Sequence, residues 1–277
     1  MNGFYLSSGA RLGFSDSDLG LPIIFLHPTP LDRDFWRPLK QQLPKVRAVL
    51  PDLRGHGISE LGTDLPKGAF APVPEAAALT IAQLAADALA LLDHVRLSSA
   101  VFAGCSIGGY VLFEIWRIAP ERVRGLVFIC SKPQPDSEAS LAKRAENIAR
   151  TRTEGVSQLF DEMARNLTGE AARRARPAIV AELRMHMTLS VKAFVAVQAG
   201  LAARPDSVPT ISTIKVPVLA IAGGADTSAP PTDMEALQQA PGGCTFHTLP
   251  AAGHFAAYEQ PRTVAALMAP WLRQFGE

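Results

Sequence analysis

One serine lies in a sequence that is suited to nucleophilic catalysis. Ser106 is the central residue of Gly104-Cys105-Ser106-Ile107-Gly108, which fits the pattern G-x-S-x-G. An apolar run precedes this sequence and a helical period follows it, so the pattern predicts a sharp strand-to-helix turn that presents the hydroxyl group. The alternative is a tight turn in which the serine only caps the helix. We predict that Ser106 is a nucleophile.

A serine hydroxyl needs a neighbouring base, and the base needs a third group to orient it. Among the six histidines, His254 follows the apolar stretch 245–249 and precedes the last helical period. Asp226 follows the apolar run 216–221 and lies between the serine and the histidine in the chain. The alternative for Asp226 is a loop or helix-capping carboxylate. We predict that Ser106, His254 and Asp226 form a catalytic triad.

Two backbone amides are candidates to stabilise negative charge on a reacting carbonyl oxygen. The amide of Ile107 begins the helical period after the serine. The sequence His27-Pro28-Thr29-Pro30 ends another apolar run, and its prolines have no N–H group, so Thr29 is the amide donor among residues 28–30. We predict an oxyanion hole formed by Thr29 and Ile107, and a structural role for His27.

Short continuous apolar runs alternate with helical periods along the chain. Such runs are typical of strands that are buried on both faces of a parallel sheet. The runs are 22–26, 47–50, 100–103, 126–129 and 216–221, and the helical periods are 34–43, 80–94, 107–118, 232–239 and 262–275. A hairpin is predicted around Ser8-Gly9-Ala10. The alternation predicts an α/β fold with a doubly wound, mostly parallel sheet.

Two segments interrupt this alternation. Residues 62–78 contain several prolines and glycines, which predicts an irregular surface loop. Residues 132–213 are rich in Ala, Arg, Glu and Met and show helical spacing without a strand-like run. We predict a core domain formed by residues 1–131 and 214–277, with a helical cap, residues 132–213, inserted in it.

The composition limits the classes of partner and compartment. The 277 residues are 48% hydrophobic, and the formal net charge of +1 provides no field that attracts nucleic acid or an anionic membrane. The three cysteines lack the spacing of a zinc site or a disulfide framework. Residues 1–20 do not resemble a signal peptide. We predict a cytoplasmic protein with a small-molecule substrate and no metal. Whether it forms a homo-oligomer is left open.

Five segments, taken together, resemble the α/β-hydrolase superfamily, and in particular its esterase and cofactor-free haloperoxidase or perhydrolase members. They are His27-Pro28-Thr29-Pro30, Asp52-Leu53-Arg54-Gly55-His56-Gly57-Ile58-Ser59, the turn at Ser106, Gly224-Ala225-Asp226, and Gly253-His254-Phe255 with Glu259-Gln260-Pro261. The resemblance implies the same triad and oxyanion hole, no cofactor, and a structural role for residues 52–59. The chain departs from the family pattern at Pro28, where members commonly have glycine.

The expected substrate follows from this resemblance and from apolar residues near the predicted site. We predict that Trp36, Met163 and Phe194 bind substrate, the alternative being that they only pack the cap onto the core. The predicted reaction is hydrolysis of a carboxylic ester, lactone or related acyl bond of a small, mostly apolar molecule through an acyl-enzyme at Ser106. Alternatives are carbon–carbon bond hydrolysis, perhydrolysis or haloperoxidation with the same triad, and ligand binding without turnover.

Overall fold

The protein is described by a computed structural model that covers residues 2–276. Its single large sheet contains eight strands in the order β1-β2-β4-β3-β5-β6-β7-β8. The strands are β1 (Asn2–Ser7), β2 (Ala10–Asp16), β3 (Leu21–Leu26), β4 (Val46–Pro51), β5 (Ala100–Cys105), β6 (Val123–Ile129), β7 (Val218–Gly223) and β8 (Cys244–Leu249). β1 and β2 form the predicted hairpin, and β2 pairs antiparallel with β4. From β4 to β8 all pairs are parallel, which confirms the predicted fold class.

Helices connect the parallel strands and cover the sheet. They are α1 (Arg37–Lys40), α2 (Ile81–His94), α3 (Ile107–Ile118), α4 (Glu138–Glu154), α5 (Ser157–Asn166), α6 (Glu170–Ala175), α7 (Ile179–Met185), α8 (Val191–Ala202), α9 (Val208–Ile211), α10 (Pro231–Met234), α11 (Ala256–Glu259) and α12 (Pro261–Leu272). Short 3-10 turns occupy Arg33–Trp36, Pro120–Arg122, Glu235–Gln239 and Arg273–Phe275. Three of the predicted helical periods, 34–43, 232–239 and 262–275, are therefore divided between an α-helix and a 3-10 turn.

The register of the central strands decides which loops meet at the sheet edge. Leu26, at the end of β3, pairs with Gly104 near the end of β5, and Cys105 pairs with Ile129 of β6. Gly223 ends β7 beside Leu249 of β8. Because parallel strands place all their carboxyl ends at one edge, the loops that follow β3, β5, β7 and β8 leave the sheet side by side.

Helices α4 to α9, here called the helical insertion, lie between β6 and β7. Phe160 of α5 and Phe194 of α8 are fully buried and belong to the same hydrophobic cluster as the strand residues Phe102 and Phe128. The insertion therefore packs onto the sheet layer through a continuous apolar core. Its function as a cap, and the division into two domains, stay predictions.

Residues 62–78 are irregular, as predicted, but they are not simply a surface loop. Phe70 and Val73 are buried, and with Ala76 they pack against Ile148 of α4 and Val195 of α8 in a second, smaller hydrophobic cluster. The apolar side chains in this proline-rich segment cover part of the helical insertion, a contact that only the tertiary structure brings about.

None of the helices described in residues 2–276 is long and apolar enough to cross a membrane.

Candidate active site

Ser106 occupies the sharp turn between β5 and α3. Its backbone angles, φ 54° and ψ −117°, lie in a region that residues with a side chain rarely adopt. A Cβ on Gly104 would overlap the carbonyl group of Gly108, and a Cβ on Gly108 would overlap the carbonyl oxygen of Leu26. The two glycines are therefore required because the start of α3 packs directly on the ends of β3 and β5.

Hydrogen bonds to β6 and the loop after it hold this strained turn in place. The Ser106 amide donates to the carbonyl oxygen of Ile129 at 3.2 Å, and the Ser131 hydroxyl donates to the Ser106 carbonyl oxygen at 2.8 Å. The Ser106 side chain is partly exposed, and within residues 2–276 its hydroxyl forms no hydrogen bond with His254. The pairing of Ser106 with His254 therefore stays a prediction.

His254 and Asp226 form a buried pair at the same edge of the sheet. The Nδ1–H of His254 donates to Oδ2 of Asp226 at 2.7 Å, and both residues are about 4% exposed. The second carboxylate oxygen accepts from the amides of Ser228 and Ala229 at 2.8 and 3.1 Å. Burial raises the pKa of Asp226, but His254 and the two amides outweigh burial and hold the pKa below its ordinary value.

This geometry determines the tautomer of the neutral histidine ring, that is, which of its two nitrogens carries the proton. Because Asp226 stays ionised and accepts from Nδ1, the neutral ring of His254 keeps its proton on Nδ1 and leaves Nε2 free to accept one. An accepting Nε2 is what a general base for a serine hydroxyl requires.

The predicted oxyanion donors lie on the loop after β3 and at the first residue of α3. A turn closes from the Pro28 carbonyl to the Leu31 amide at 3.1 Å, and the Thr29–Pro30 peptide is cis. In the described part of the chain, the amides of Thr29 and Ile107 donate to no protein group. An unpaired amide at the first position of a helix points outward along the helix axis, where it can bind an anionic oxygen.

Two fully buried histidines support this loop. His27 accepts a hydrogen bond from the Leu53 amide at Nε2, 2.9 Å, and its Nδ1 lies 3.0 Å from the Pro28 carbonyl oxygen. Burial lowers the pKa of His27, and it lowers the pKa of His56 to about 3. Both rings are therefore neutral hydrogen-bonding groups at physiological pH, in agreement with the structural role expected for them.

Of the three predicted substrate-binding residues, two are packed in the protein interior and one is partly buried. Trp36 is fully buried between Phe25 and Phe35, with ring centroids 5.2 and 4.9 Å away, and its Nε1 has no partner among the described residues. Phe194 is fully buried and contacts Phe160, whereas Met163 of α5 is only partly buried. Contact of these three side chains with a substrate stays a prediction.

Another group of side chains has the chemistry of metal ligands. Asp32, Asp34 and His186 offer ligand atoms that all lie within 4.8 Å of one another. Asp32 already accepts from the Asp34 amide at 2.9 Å and lies 3.2 Å from Nδ1 of His186. The capping bond and the histidine pair account for the closeness of these groups, so they give no support to a metal site.

Sequence reasoning gave no role to Glu259, which the structure places behind the histidine. Its carboxylate accepts hydrogen bonds from the amides of Gly253 and Phe255 at 2.8 and 3.1 Å. The signal in the sequence is a carboxylate five residues after His254, at the end of a short helix. That spacing alone does not show that the carboxylate turns back toward the preceding loop.

Comparison with known proteins agrees with the fold. A model described as the alpha/beta hydrolase family matches residues 23–267. The chain belongs to the alpha/beta hydrolase family. This family assignment confirms the resemblance inferred from the five sequence segments.

Similar members of the alpha/beta hydrolase family span most of the chain. A putative non-heme bromoperoxidase of Mycobacterium tuberculosis is 24% identical over 268 residues, covering 93% of this chain and 96% of that protein. A 3-oxoadipate enol-lactonase of Acinetobacter baylyi is 26% identical over 218 residues, covering 79% of this chain and 75% of that protein.

Solved structures of this family resemble the fold closely. A thermophilic esterase from Thermogutta terrifontis matches with a TM-score of 0.88 and 29% identity, covering 100% of both chains. An enol-lactonase from Burkholderia xenovorans matches with a TM-score of 0.84 and 24% identity, covering 98% of this chain and 99% of that one. At 24% identity the second match shows the fold alone.

Proposed function

We propose that the chain is a serine hydrolase that cleaves a carboxylic ester, lactone or related acyl bond of a small, mostly apolar substrate. The observation that supports this proposal is the Asp226–His254 hydrogen bond, located at the sheet edge where Ser106 is held in a strained turn. The similarity to an esterase and to an enol-lactonase supports acyl-bond cleavage as the reaction class.

In the first half of the reaction, Ser106 attacks the substrate. Nε2 of His254 takes the hydroxyl proton as Oγ bonds to the carbonyl carbon, and the carbonyl oxygen becomes an oxyanion. The amides of Thr29 and Ile107 donate to that oxyanion, and each such donor is worth about 2.7–4 kcal/mol. Asp226 stays ionised and stabilises the imidazolium that forms.

In the second half, the intermediate collapses and the acyl group is released. The bond to the leaving oxygen breaks, and His254 gives its proton to that oxygen, leaving an acyl ester on Ser106. A water molecule then attacks the ester carbonyl while His254 takes one of its protons. Collapse of the second intermediate returns that proton to Ser106 Oγ and releases the carboxylic acid.

The direct test is labelling with a fluorophosphonate probe together with turnover of p-nitrophenyl esters of graded chain length and of lactones. We expect labelling at Ser106, and we expect Ser106→Ala to abolish labelling and to lower kcat by roughly 10⁶. The matched control is Ser98→Ala, because Ser98 is exposed and precedes β5 at the opposite edge of the sheet. Turnover that survives in Ser106→Ala would contradict the proposal and would favour another nucleophile, whereas a wild-type protein with neither labelling nor turnover would favour ligand binding.

A second candidate function is transfer of the acyl group from Ser106 to hydrogen peroxide. It is favoured by the similarity to a putative non-heme bromoperoxidase over nearly the whole chain. Peroxide would attack the same acyl-enzyme in place of water, so the product would be a peracid. Adding peroxide to the ester assay separates the two functions: peracid formation at the expense of the acid indicates perhydrolysis, and unchanged acid formation indicates hydrolysis.

We also propose that the helical insertion is a cap over the site and that the protein works in the cytoplasm. The contact of residues 167–169 with the loop that holds His254 supports the cap. The free thiols Cys105, Cys130 and Cys244 support a reducing compartment. Met163→Ala, which truncates a partly buried side chain of the insertion, tests the first point through substrate selectivity, and cell fractionation tests the second.

A further inference from the structure

The loop that holds His254, residues 250–255, is fastened directly to the helical insertion. We call these residues the histidine loop. The His254 amide donates to the carbonyl oxygen of Leu167 at 2.9 Å. Leu167 follows α5, and α6 begins three residues later at Glu170. The residue proposed as general base is therefore hydrogen-bonded through its own backbone to a connection between two helices of the insertion.

Glu259 joins the same two parts of the molecule. One carboxylate oxygen, Oε2, accepts from the Gly253 amide at 2.8 Å and from the Gly169 amide at 3.2 Å. The other oxygen, Oε1, accepts from the Phe255 amide at 3.1 Å. A single carboxylate thus binds the amides on both sides of His254 and one amide of the insertion.

The contact between the insertion and the histidine loop is too close for any side chain. A Cβ on Gly169 would lie 2.7 Å from the Gly253 nitrogen and 2.7 Å from Oε2 of Glu259. A Cβ on Gly253 would overlap the Gly169 nitrogen. Gly169 has φ −58° and ψ 143°, which any residue can adopt. At Gly169, glycine is therefore required for space and not for backbone conformation.

The other interactions of Glu259 point to a supporting role. Among residues 2–276, Glu259 forms no ion pair with Lys or Arg. It does not bind the His254 ring either, because Nδ1 of that ring is hydrogen-bonded to Asp226. Burial raises the pKa of Glu259, and the three amides oppose that effect. A mostly buried carboxylate is costly unless its hydrogen bonds are satisfied, and here backbone amides satisfy them.

Building on the proposed hydrolase function, we propose that Glu259 is a positioning residue for His254 and that residues 167–169 of the helical insertion are part of the same support. The insertion then controls the orientation of the base relative to Ser106, in addition to covering the site. A displacement of residues 167–169 breaks two hydrogen bonds together: the one that the His254 amide donates to Leu167 and the one that the Gly169 amide donates to Glu259. The histidine loop then loses its support on that side.

The test is Gly169→Ala, a substitution that adds one methyl group at the contact and leaves the backbone angles allowed. Because a misplacement of about 1 Å can cost roughly 10²-fold in rate, we expect kcat and the fluorophosphonate labelling rate to fall by about that factor, with KM unchanged. Glu170→Gln is the matched control, since Glu170 is the next residue, is exposed and, among the residues that the structure describes, pairs only with Arg174. We expect the control to behave as the wild type.

A second measurement does not depend on activity. The Nδ1 proton of His254, hydrogen-bonded to Asp226, is observed by NMR in the Ser106→Ala background. We expect its resonance to shift or broaden in Gly169→Ala and to stay in place in Glu170→Gln. An unchanged resonance together with an unchanged labelling rate would overturn the inference. Failure of the proposed function has a different signature, namely full turnover in Ser106→Ala.

Glu259→Gln provides an independent variant if Gly169→Ala folds poorly. The amide is isosteric, but its NH₂ group cannot accept a hydrogen bond, so at least one of the three backbone amides loses its acceptor. We expect kcat to fall in Glu259→Gln without a change in KM. When Gly169→Ala is added to Glu259→Gln, we expect it to lower kcat less than it does in the wild type, because both substitutions affect one contact. Full additivity, or wild-type kcat in Glu259→Gln, would contradict the positioning role.

Discussion

Thr29 Oγ1 lies 3.0 Å from Nε2 of His56, and both groups are buried. The other ring nitrogen of His56 lies 3.0 Å from the carbonyl oxygen of Arg54 and must donate to it. His56 Nε2 therefore accepts from the Thr29 hydroxyl. Because burial lowers the pKa of His56 to about 3, the ring is neutral near pH 7 and this bond is kept there. The side chain of Thr29 is thus fixed, and its amide is held in the loop after β3.

We predict that Thr29→Val lowers the free energy of unfolding by about 1–3 kcal/mol, because it leaves a buried ring nitrogen of His56 without a donor. The amide of residue 29 remains, so kcat should fall far less than in Ser106→Ala. Urea denaturation measures the first effect and ester turnover the second. Thr29→Ser, which keeps the hydroxyl, is the control. Equal stability of the Val and Ser variants would show that the bond to His56 contributes nothing.

A second prediction concerns Asp226→Asn. The asparagine favours the wrong tautomer of His254, and loss of the carboxylate removes the charge that stabilises the imidazolium, so we expect kcat to fall by roughly 10⁴. The matched control is Asp233→Asn, because Asp233 lies on α10 and, within residues 2–276, its side chain forms only a loose ion pair with Lys132 at 3.4 Å. A decrease in kcat of the same size in both variants would argue against Asp226 as the acid of the triad.

Asp226 also makes stability depend on pH in a defined direction. Its pKa is lower in the folded protein than its ordinary value, so the ionised form stabilises the fold above about pH 4 and this contribution is lost as pH falls further. In Asp226→Asn that part of the acid dependence should disappear. Thermal unfolding of both proteins between pH 3 and 6 measures it, and parallel curves would contradict a lowered pKa of Asp226 in the folded protein.

The Asp32–His186 pair gives a fourth prediction. The hydrogen bond that the His186 ring donates to Asp32 raises the pKa of His186, so this pair stabilises the fold fully below about pH 6.5 and the contribution is lost as pH rises through the raised value. We expect a contribution of at most about 1 kcal/mol, because the pair is partly exposed. Urea unfolding of wild type and His186→Gln should therefore differ most near pH 5.5 and converge near pH 9. In an Asp32→Asn background the difference should not change with pH.

A fifth prediction concerns Gly108→Ala. Alanine is normally preferred to glycine within a helix by about 1 kcal/mol, but here its Cβ would overlap the backbone oxygen of Leu26. Since a backbone carbonyl cannot move aside as a flexible side chain does, we expect a loss of about 3 kcal/mol or more. Gly68→Ala is the control, because its Cβ meets nothing and only the left-handed φ is strained, at about 1–2 kcal/mol. Urea unfolding midpoints compare the two variants.

Several features of the fold were predictable because they depend on local patterns. Continuous apolar runs predicted β3 to β7, since strands buried on both faces need no polar residues. The Thr80 hydroxyl accepts from the Gln83 amide at 3.2 Å and caps α2, which begins at Ile81, as the helical period predicted at 80–94 indicates. The helical period at 34–43 was predicted less well, because Asp32 caps a 3-10 turn before α1 begins.

The sequence by itself determined the family and nominated Ser106, His254 and Asp226, because each follows an apolar run and parallel strands end at one edge. It could not determine the burial of Trp36 and Phe194 or the second cluster around Phe70, since burial depends on which distant helices pack against a side chain. Only the tertiary structure showed that the Glu259 carboxylate binds the amides of Gly253 and Phe255 on either side of His254 and also the amide of Gly169. Hydrogen bonds between backbone amides and a carboxylate on another element leave no periodic pattern in the sequence.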